Sequence, residues 1–349
     1  MSVTQEAFGK SREGRDVVLY TIKNSKGMMA KVMNVGAILV ELWVPDKDGK
    51  LQDVVLGYDN VSDYYNNPSF FGSTIGPSAN RIADATYEID GINYEVDIND
   101  GPNNLHSHIE LGYHKRMWDA ETSEDSVTFS LYDPATLGFP GCKDVSVTYT
   151  LTENNELKIH YYATSDQATI INLTNHSYFN LDGHDAGSIV DHKIKLACSN
   201  YTPTDDGSIP VGDIAPVAGT PMDLTELTRI GDHIDDDFEQ LKFGKGYDHN
   251  FCIDGADGSL RLCAEVQGPK SKRVMKVYTD LPGIQFYAGN CITPEDGKTG
   301  YHYEKRGGLC LETQYYPDSV NHDNFPSCIF GGEDDDARIY DTVTVYAFE

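Results

Sequence analysis

Val145-Ser146-Val147-Thr148-Tyr149-Thr150-Leu151 alternates apolar and polar side chains without a break. A period of two is the signature of a half-buried β-strand, whereas an amphipathic helix repeats its apolar positions every 3.6 residues. Related strand-like runs occur from end to end, at residues 17–22, 37–44, 126–132, 157–163, 260–266, 274–279 and 342–348. Turn chemistry fills the gaps: Asp48-Gly49, Asp90-Gly91, Glu153-Asn154-Asn155, Asp206-Gly207 and Asp257-Gly258. Short strands with frequent turns predict an all-β protein, a large antiparallel β-sandwich or barrel-like fold. Helical patterning is thin. Residues 223–230 and 236–242 each have room for a few turns, too little for the crossovers of a parallel sheet.

The chain has 349 residues. All-β sandwiches and barrels of this kind run past 200 residues as one unit. With no linker and no visible repeat, a single domain over residues 1–349 is expected. The formal net charge is −28. Phosphate contacts need clustered Lys and Arg, so nucleic acid and anionic membrane surfaces are disfavoured as partners. Seven cysteines are scattered without a CxxC pair, which fits the reduced thiols of a cytoplasmic protein. The first residues carry no signal-peptide pattern, and no apolar run approaches the roughly 18 residues of a membrane helix. Asp235-Asp236-Asp237 and Glu333-Asp334-Asp335-Asp336 read as solvated loops.

Several chemistries lack sequence support. There is no Gly-rich phosphate loop, no dinucleotide fingerprint and no Gly-x-Ser-x-Gly elbow. His106-Ser107-His108, with His114 beyond, offers imidazoles for a metal, with Glu110 nearby. An HxH on a strand points its side chains to opposite faces, so no metal is expected.

Other segments deliver polar side chains next to apolar ones. Ile170-Ile171-Asn172-Leu173-Thr174-Asn175-His176-Ser177-Tyr178 reads as a buried strand ending in a polar tip. Gly307-Gly308-Leu309-Cys310-Leu311-Glu312-Thr313 delivers a carboxylate in the same way. His176 is either a satisfied core histidine or, with Glu312, half of a proton-transfer pair. Arg81, after a Gly/Pro/Ser turn, is a surface charge or a fork of donors for substrate oxygens. Asp248 in Tyr247-Asp248-His249-Asn250-Phe251 caps a strand start or accepts hydroxyl hydrogen bonds. Gln285 lies beside two aromatics in Ile284-Gln285-Phe286-Tyr287.

Taken together and in order, these pieces resemble the galactose mutarotase (aldose 1-epimerase) family. The match runs through Ala79-Asn80-Arg81-Ile82, Asn103-Asn104-Leu105-His106, Gly112-Tyr113-His114-Lys115-Arg116-Met117-Trp118, Asn175-His176-Ser177-Tyr178-Phe179-Asn180-Leu181, Tyr247-Asp248-His249-Asn250-Phe251, Pro282-Gly283-Ile284-Gln285-Phe286-Tyr287 and Leu311-Glu312-Thr313-Gln314. The resemblance implies a large antiparallel β-sandwich with a sugar in an open cleft, acting on free aldohexoses such as galactose and glucose without a cofactor. It implies that His176 protonates the pyranose ring oxygen and that Glu312 takes the proton from the anomeric hydroxyl, with the roles exchanged on reclosure. It further implies that His106 helps hold the developing charge. Asn80, Arg81, Asp248 and Gln285 would bind hydroxyls, and Tyr178 and Phe286 would line the site. A carboxylate is expected to raise the His176 pKa.

Two departures stand out. Many relatives carry Gly-Arg-x-Ala-Asn-Arg, where this chain has Gly76-Pro77-Ser78-Ala79-Asn80-Arg81. Many also read Asn-Leu-His-Gly-Gly, where Ser107-His108 follow His106 here, two side chains expected to narrow the cleft or to alter sugar preference. Competing readings are a non-catalytic sugar-binding protein on the same fold, a hexose-6-phosphate epimerase, and a glycosidase pairing Asp248 with Glu312. The expected state is a monomer or homodimer.

Overall fold

The computed structural model describes residues 1–332 and 338–349, and the acidic run 333–336 lies outside the described residues. The alternating segments become strands. Ser126–Pro134, Cys142–Leu151 and Glu156–Ser165 pair antiparallel, with Val147 opposite both Phe129 and Tyr161. Their apolar members are buried and the side chains between them are more open, as one covered sheet face requires.

These strands belong to a nine-stranded sheet in the order Asp119–Thr122, Ser126–Pro134, Cys142–Leu151, Glu156–Ser165, Tyr340–Phe348, Val274–Thr279, Arg261–Gln267, Lys193–Leu196 and Thr228–Arg229. The last strand of the chain thus sits near the middle, joining the earlier and later halves of the sheet. The first five strands, Ser2–Lys10 to Leu51–Asp53, form a meander in sequence order. A third sheet runs Ala215–Pro216, Asn200–Tyr201, Asp248–Cys252, Gly283–Tyr287 and Cys310–Gln314. One continuous buried cluster takes side chains from all three sheets, including Tyr20, Leu39, Val147, Tyr161, Met275, Phe286, Leu311 and Tyr346.

The helical expectations fare unevenly. Among the described residues the α-helix is Glu239–Phe243, shifted within and just past 236–242. Residues 223–230 do not form a helix. Thr228–Arg229 is an edge strand paired to Lys193 and Ile194, followed by the 3₁₀ turn Ile230–Asp232. Sheet pairing overrides a weak local preference here, while Leu224 and Ile230 are both buried in the core. The run 235–237 is more than solvated: Asp235 pairs with Arg306, Asp236 with His233 and Asp237 with Lys242.

Lys298 and Asp53 form an internal ion pair. Lys298 Nζ donates to Asp53 Oδ2 and to the Val40 carbonyl (2.8 Å), while Asp53 Oδ1 accepts from the Leu42 N–H (2.9 Å). Both side chains are 3 % exposed. Removing one partner would strand the other charge in a poorly solvated interior. Lys298→Met is therefore expected to cost about 3–5 kcal/mol in denaturant unfolding. Adding Asp53→Leu should recover much of that loss. A single-variant cost below about 1 kcal/mol would show that water reaches Asp53.

Candidate active site

The site is built on the central strands of the third sheet. Asp248–Cys252, Gly283–Tyr287 and Cys310–Gln314 pair with Asp248 opposite Tyr287, Gln285 opposite both Asn250 and Glu312, and Tyr287 opposite Cys310. Alternation sorts each strand into two faces. Phe251, Ile284, Phe286 and Leu311 enter the apolar core. Asp248, Asn250, Gln285, Tyr287, Cys310, Glu312 and Gln314 share the opposite face. Gln285 Nε2 donates to Asp248 Oδ1 (2.7 Å), and Gln314 Nε2 donates to Gln285 Oε1 and Asn250 Oδ1 (both 3.3 Å).

His176 arrives from another direction. Thr174–His176 pairs antiparallel with Ser73–Ile75, so that His176 lies opposite Ser73. The polar residues around it are braces. Asn175 Nδ2 donates to the Gly72 carbonyl and Tyr149 Oη (both 3.0 Å), and Asn180 Nδ2 donates to the carbonyls of Gly187 and Gly307. His176 and Tyr178 reach the cleft, with their rings nearly parallel at 24° and centroids 5.1 Å apart. Nε2 of His176 lies 3.8 Å from Glu312 Oε2, while its Nδ1 lies 3.5 Å from the Cys310 sulfur. Burial keeps the Cys310 thiol protonated.

Asn80, His106 and Ser107 all adopt left-handed backbone conformations, which folds two loops against each other. The His106 N–H donates to the Asn80 carbonyl (3.0 Å), and the Asn80 N–H donates to His106 Nδ1 (3.1 Å). Ser107 does not narrow the cleft, contrary to expectation. Its side chain is fully buried, and Oγ accepts from the Ser78 N–H (2.8 Å) and donates to the Ser78 carbonyl (2.9 Å). This clip ties the turn after Pro77 to the His106 loop. Arg81 Nε donates to Asp100 Oδ2 (2.8 Å), leaving both Nη groups for other partners.

Burial dominates the electrostatics. It pushes His176 down to about 4 and Glu312 well above the usual carboxylate range; neighbouring Asp248 pushes Glu312 further up and Arg81 opposes. The expected carboxylate-raised imidazolium is thus not the state of the unliganded pair. Asp248 is also raised by burial, against the pull of Arg81 and the Gln285 hydrogen bond. Glu312 Oε2 is buried with no hydrogen-bond partner among the described residues, the kind of group that a bound hydroxyl can satisfy.

His106, His176 and Glu312 bring one donor atom each within 4.8 Å of one another, a set that can hold a metal on paper. The tautomer of His106 opposes this. It is buried and held neutral, and its Nδ1 accepts a backbone N–H, so its one proton sits on Nε2 and that nitrogen has no free lone pair. The same constraint makes Nε2–H of His106 a hydrogen-bond donor. The sequence trio does not converge either. His108 Nδ1 accepts from the Glu110 and Leu111 N–H groups, and His114 Nε2 meets the Ile109 carbonyl.

Of the expected site residues, Asn80, Arg81, His106, His176, Tyr178, Asp248 and Glu312 line one cleft, joined by Pro68, Ser69, Phe70, Leu105, Tyr287 and Cys291. Gln285 stands behind Asp248, not in the wall. Phe286 is a correction: strand alternation turns it away from the cleft, into the core against Tyr247 (5.1 Å, 28°). Tyr287 was legible, being two residues from Gln285 on one strand. Phe70 and Cys291 carry no local signal.

The comparisons agree with this architecture. A model of the family described as aldose 1-epimerase matches residues 18–333. Human galactose mutarotase is 39% identical over 350 residues, covering 99% of this chain and 98% of that protein. The Escherichia coli K12 aldose 1-epimerase is 35% identical over 341 residues, covering 96% of each. Among solved structures, the aldose epimerase homologue from C. elegans superposes with a TM-score of 0.86 at 30% identity, covering 95% of this chain and 98% of that one. Galactose 1-epimerase from Lactobacillus acidophilus gives 0.85 at 26% identity, covering 100% and 99%. With this match over nearly its whole length, the chain belongs to the aldose 1-epimerase family and is an isomerase that interconverts the anomers of an aldose.

Proposed function

We propose that the reaction is ring opening and reclosure of a free aldohexose, galactose and glucose included, by proton transfer through His176 and Glu312. The observation that carries this reading is the buried His176 Nε2–Glu312 Oε2 pair at 3.8 Å, with Oε2 otherwise unpartnered among the described residues. A hemiacetal opens when its ring oxygen gains a proton as its anomeric hydroxyl loses one, so a pair holding one proton suffices, without a cofactor. Burial favours the neutral arrangement, with that proton on Glu312. This arrangement suits closure, where Glu312 gives a proton to the aldehyde oxygen and His176 takes one from the ring hydroxyl. Opening requires the proton to shift to His176, and sugar oxygens hydrogen-bonded to both groups would favour the shift. His106 Nε2–H would donate to the sugar beside the developing charge. Asn80, Arg81 and Asp248 would hold hydroxyls, Gln285 would orient Asp248, and Tyr178 would form a wall.

A phosphorylated sugar is disfavoured. Arg81 is the one cation in the wall among the described residues, and its neighbours include Asp100, Asp248 and Glu312. A non-catalytic binding protein is disfavoured by the match to isomerases over nearly the whole chain. The net charge of −28 disfavours polyanionic partners, and the seven free thiols fit a cytoplasmic protein; we read it as one domain acting on a small neutral sugar, as a monomer or homodimer.

Polarimetry on α-galactose should show mutarotation far faster than in buffer, and His176→Asn or Glu312→Gln should lower kcat by about 10²–10⁴-fold. Near-normal rates in both variants would overturn the mechanism. The pH profile follows from the shared proton. kcat/KM should be flat across neutrality and fall on the acid side near pH 4, where neutral His176 gains a second proton for the pair. It should fall on the alkaline side once Glu312 loses the only one. A limb near pH 6.5 instead would indicate a solvated imidazole.

Glu312 also bears on stability. Its folded pKa lies above its unfolded value, so stability is lost as pH rises from the unfolded pKa towards the folded one. Glu312→Gln should therefore raise the Tm at pH 7 by about 2–4 °C while lowering kcat as above. A lowered Tm would mean that the carboxyl is better compensated than its surroundings indicate.

A further inference from the structure

Phe70 combines two features unusual for one residue. Its φ is +56°, a left-handed conformation rare for a bulky aromatic. Its ring meets three imidazoles: nearly parallel to His176 (5.8 Å, 24°), and edge-on to His106 (5.0 Å) and His114 (4.9 Å). Half-buried, it forms part of the cleft wall.

The surrounding hydrogen bonds determine this conformation. The Asn67 carbonyl accepts the Phe70 N–H (3.0 Å), Asn67 Oδ1 accepts the Phe71 N–H (2.9 Å), and Asn67 Nδ2 donates to Ser73 Oγ (3.3 Å). Gly72 (φ +66°) ends the loop where a Cβ would come within 2.0 Å of the Leu39 carbonyl oxygen. The Gly72 N–H donates to the His176 carbonyl (3.0 Å), and its own carbonyl accepts from Asn175 Nδ2. The loop that carries Phe70 is thus stitched to the strand that carries His176. Strained backbone of this kind persists where its surroundings over-determine it, and it clusters at functional sites.

We propose that Phe70 is a positioning residue: its ring, held over the cleft by this turn, fixes the plane of the His176 imidazole so that Nε2 faces Glu312 and the sugar ring oxygen. The inference rests on the reading of His176 as the acid. Without the ring, the imidazole can rock away from its line to the substrate, which lowers the rate of proton transfer more than sugar binding. The same ring excludes water from the imidazole.

The test compares Phe70→Leu, Phe70→Gly and Phe70→Tyr with His176→Asn in the mutarotation assay on galactose. Glycine adopts the left-handed conformation freely, so a loss in that variant reports on the missing ring and not on a misfolded loop. Leu and Gly should lower kcat about 10- to 100-fold with KM within about threefold, and Tyr should restore kcat to within about threefold. Burial is what depresses His176, so in Phe70→Leu the acid limb of kcat/KM should move up from about 4 towards the ordinary imidazole value. Normal kcat and an unmoved acid limb in the Leu and Gly variants, beside an inactive His176→Asn, would overturn the inference and leave Phe70 a plain wall. An active His176→Asn would overturn the reading of the acid, and the inference with it.

Discussion

A buried carboxyl oxygen, Glu312 Oε2, which has no hydrogen-bond partner among the described residues, organises this protein. Glu312 lies on a strand covered on both faces, where an isolated charge is costly and a neutral acid is tolerated. The strands beside it are adapted to the same demand. Three neighbouring strands present apolar side chains to the core and polar ones to the opposite face, and behind the cleft wall the polar ones largely satisfy one another: Gln314 to Gln285 and Asn250, and Gln285 to Asp248. A slip of one residue in register would drive Glu312 into the core and Leu311 into the cleft. Register here is therefore a condition of both folding and chemistry.

The histidine side is held by different means. His176 ends a three-residue strand whose neighbours Asn175 and Asn180 are committed to backbone carbonyls and Tyr149. His106 stands on a left-handed turn zipped to Asn80, and that hydrogen bond fixes its tautomer. Two imidazoles in one cleft thus have different capacities. His106 can donate and cannot take a proton at Nδ1 without losing its backbone partner. His176 has Nε2 facing the carboxyl and is free to exchange a proton.

Much of this was legible in the sequence. Strict alternation revealed the sandwich, because antiparallel sheets with one covered face keep a period of two. His176, Glu312, Arg81 and Asp248 stood out as polar residues beside apolar runs. The misses share a cause. Phe286 follows Gln285 on a strand, and which of two adjacent residues faces the cleft depends on which sheet covers which face, a tertiary fact. Phe70 owes its place to Asn67, Gly72 and the His176 strand, partners that no local pattern connects. The helix expected at 223–230 yielded to an edge pairing with residues 193–194.

The departures from the commoner family pattern become intelligible at this level. Serine in place of the first glycine after His106 would look obstructive beside a sugar, yet its hydroxyl turns inward and bonds both backbone groups of Ser78. Position 78 follows the proline that replaces the usual arginine. A side chain that bridges the two loops supplies a fastening at the place where a long cationic side chain is absent. The loops carrying Asn80, Arg81 and His106 are thereby held in register by a buried hydroxyl. A neutral brace suits a pocket whose acid and base depend on a low-dielectric surrounding, because it adds no charge that would shift either pKa.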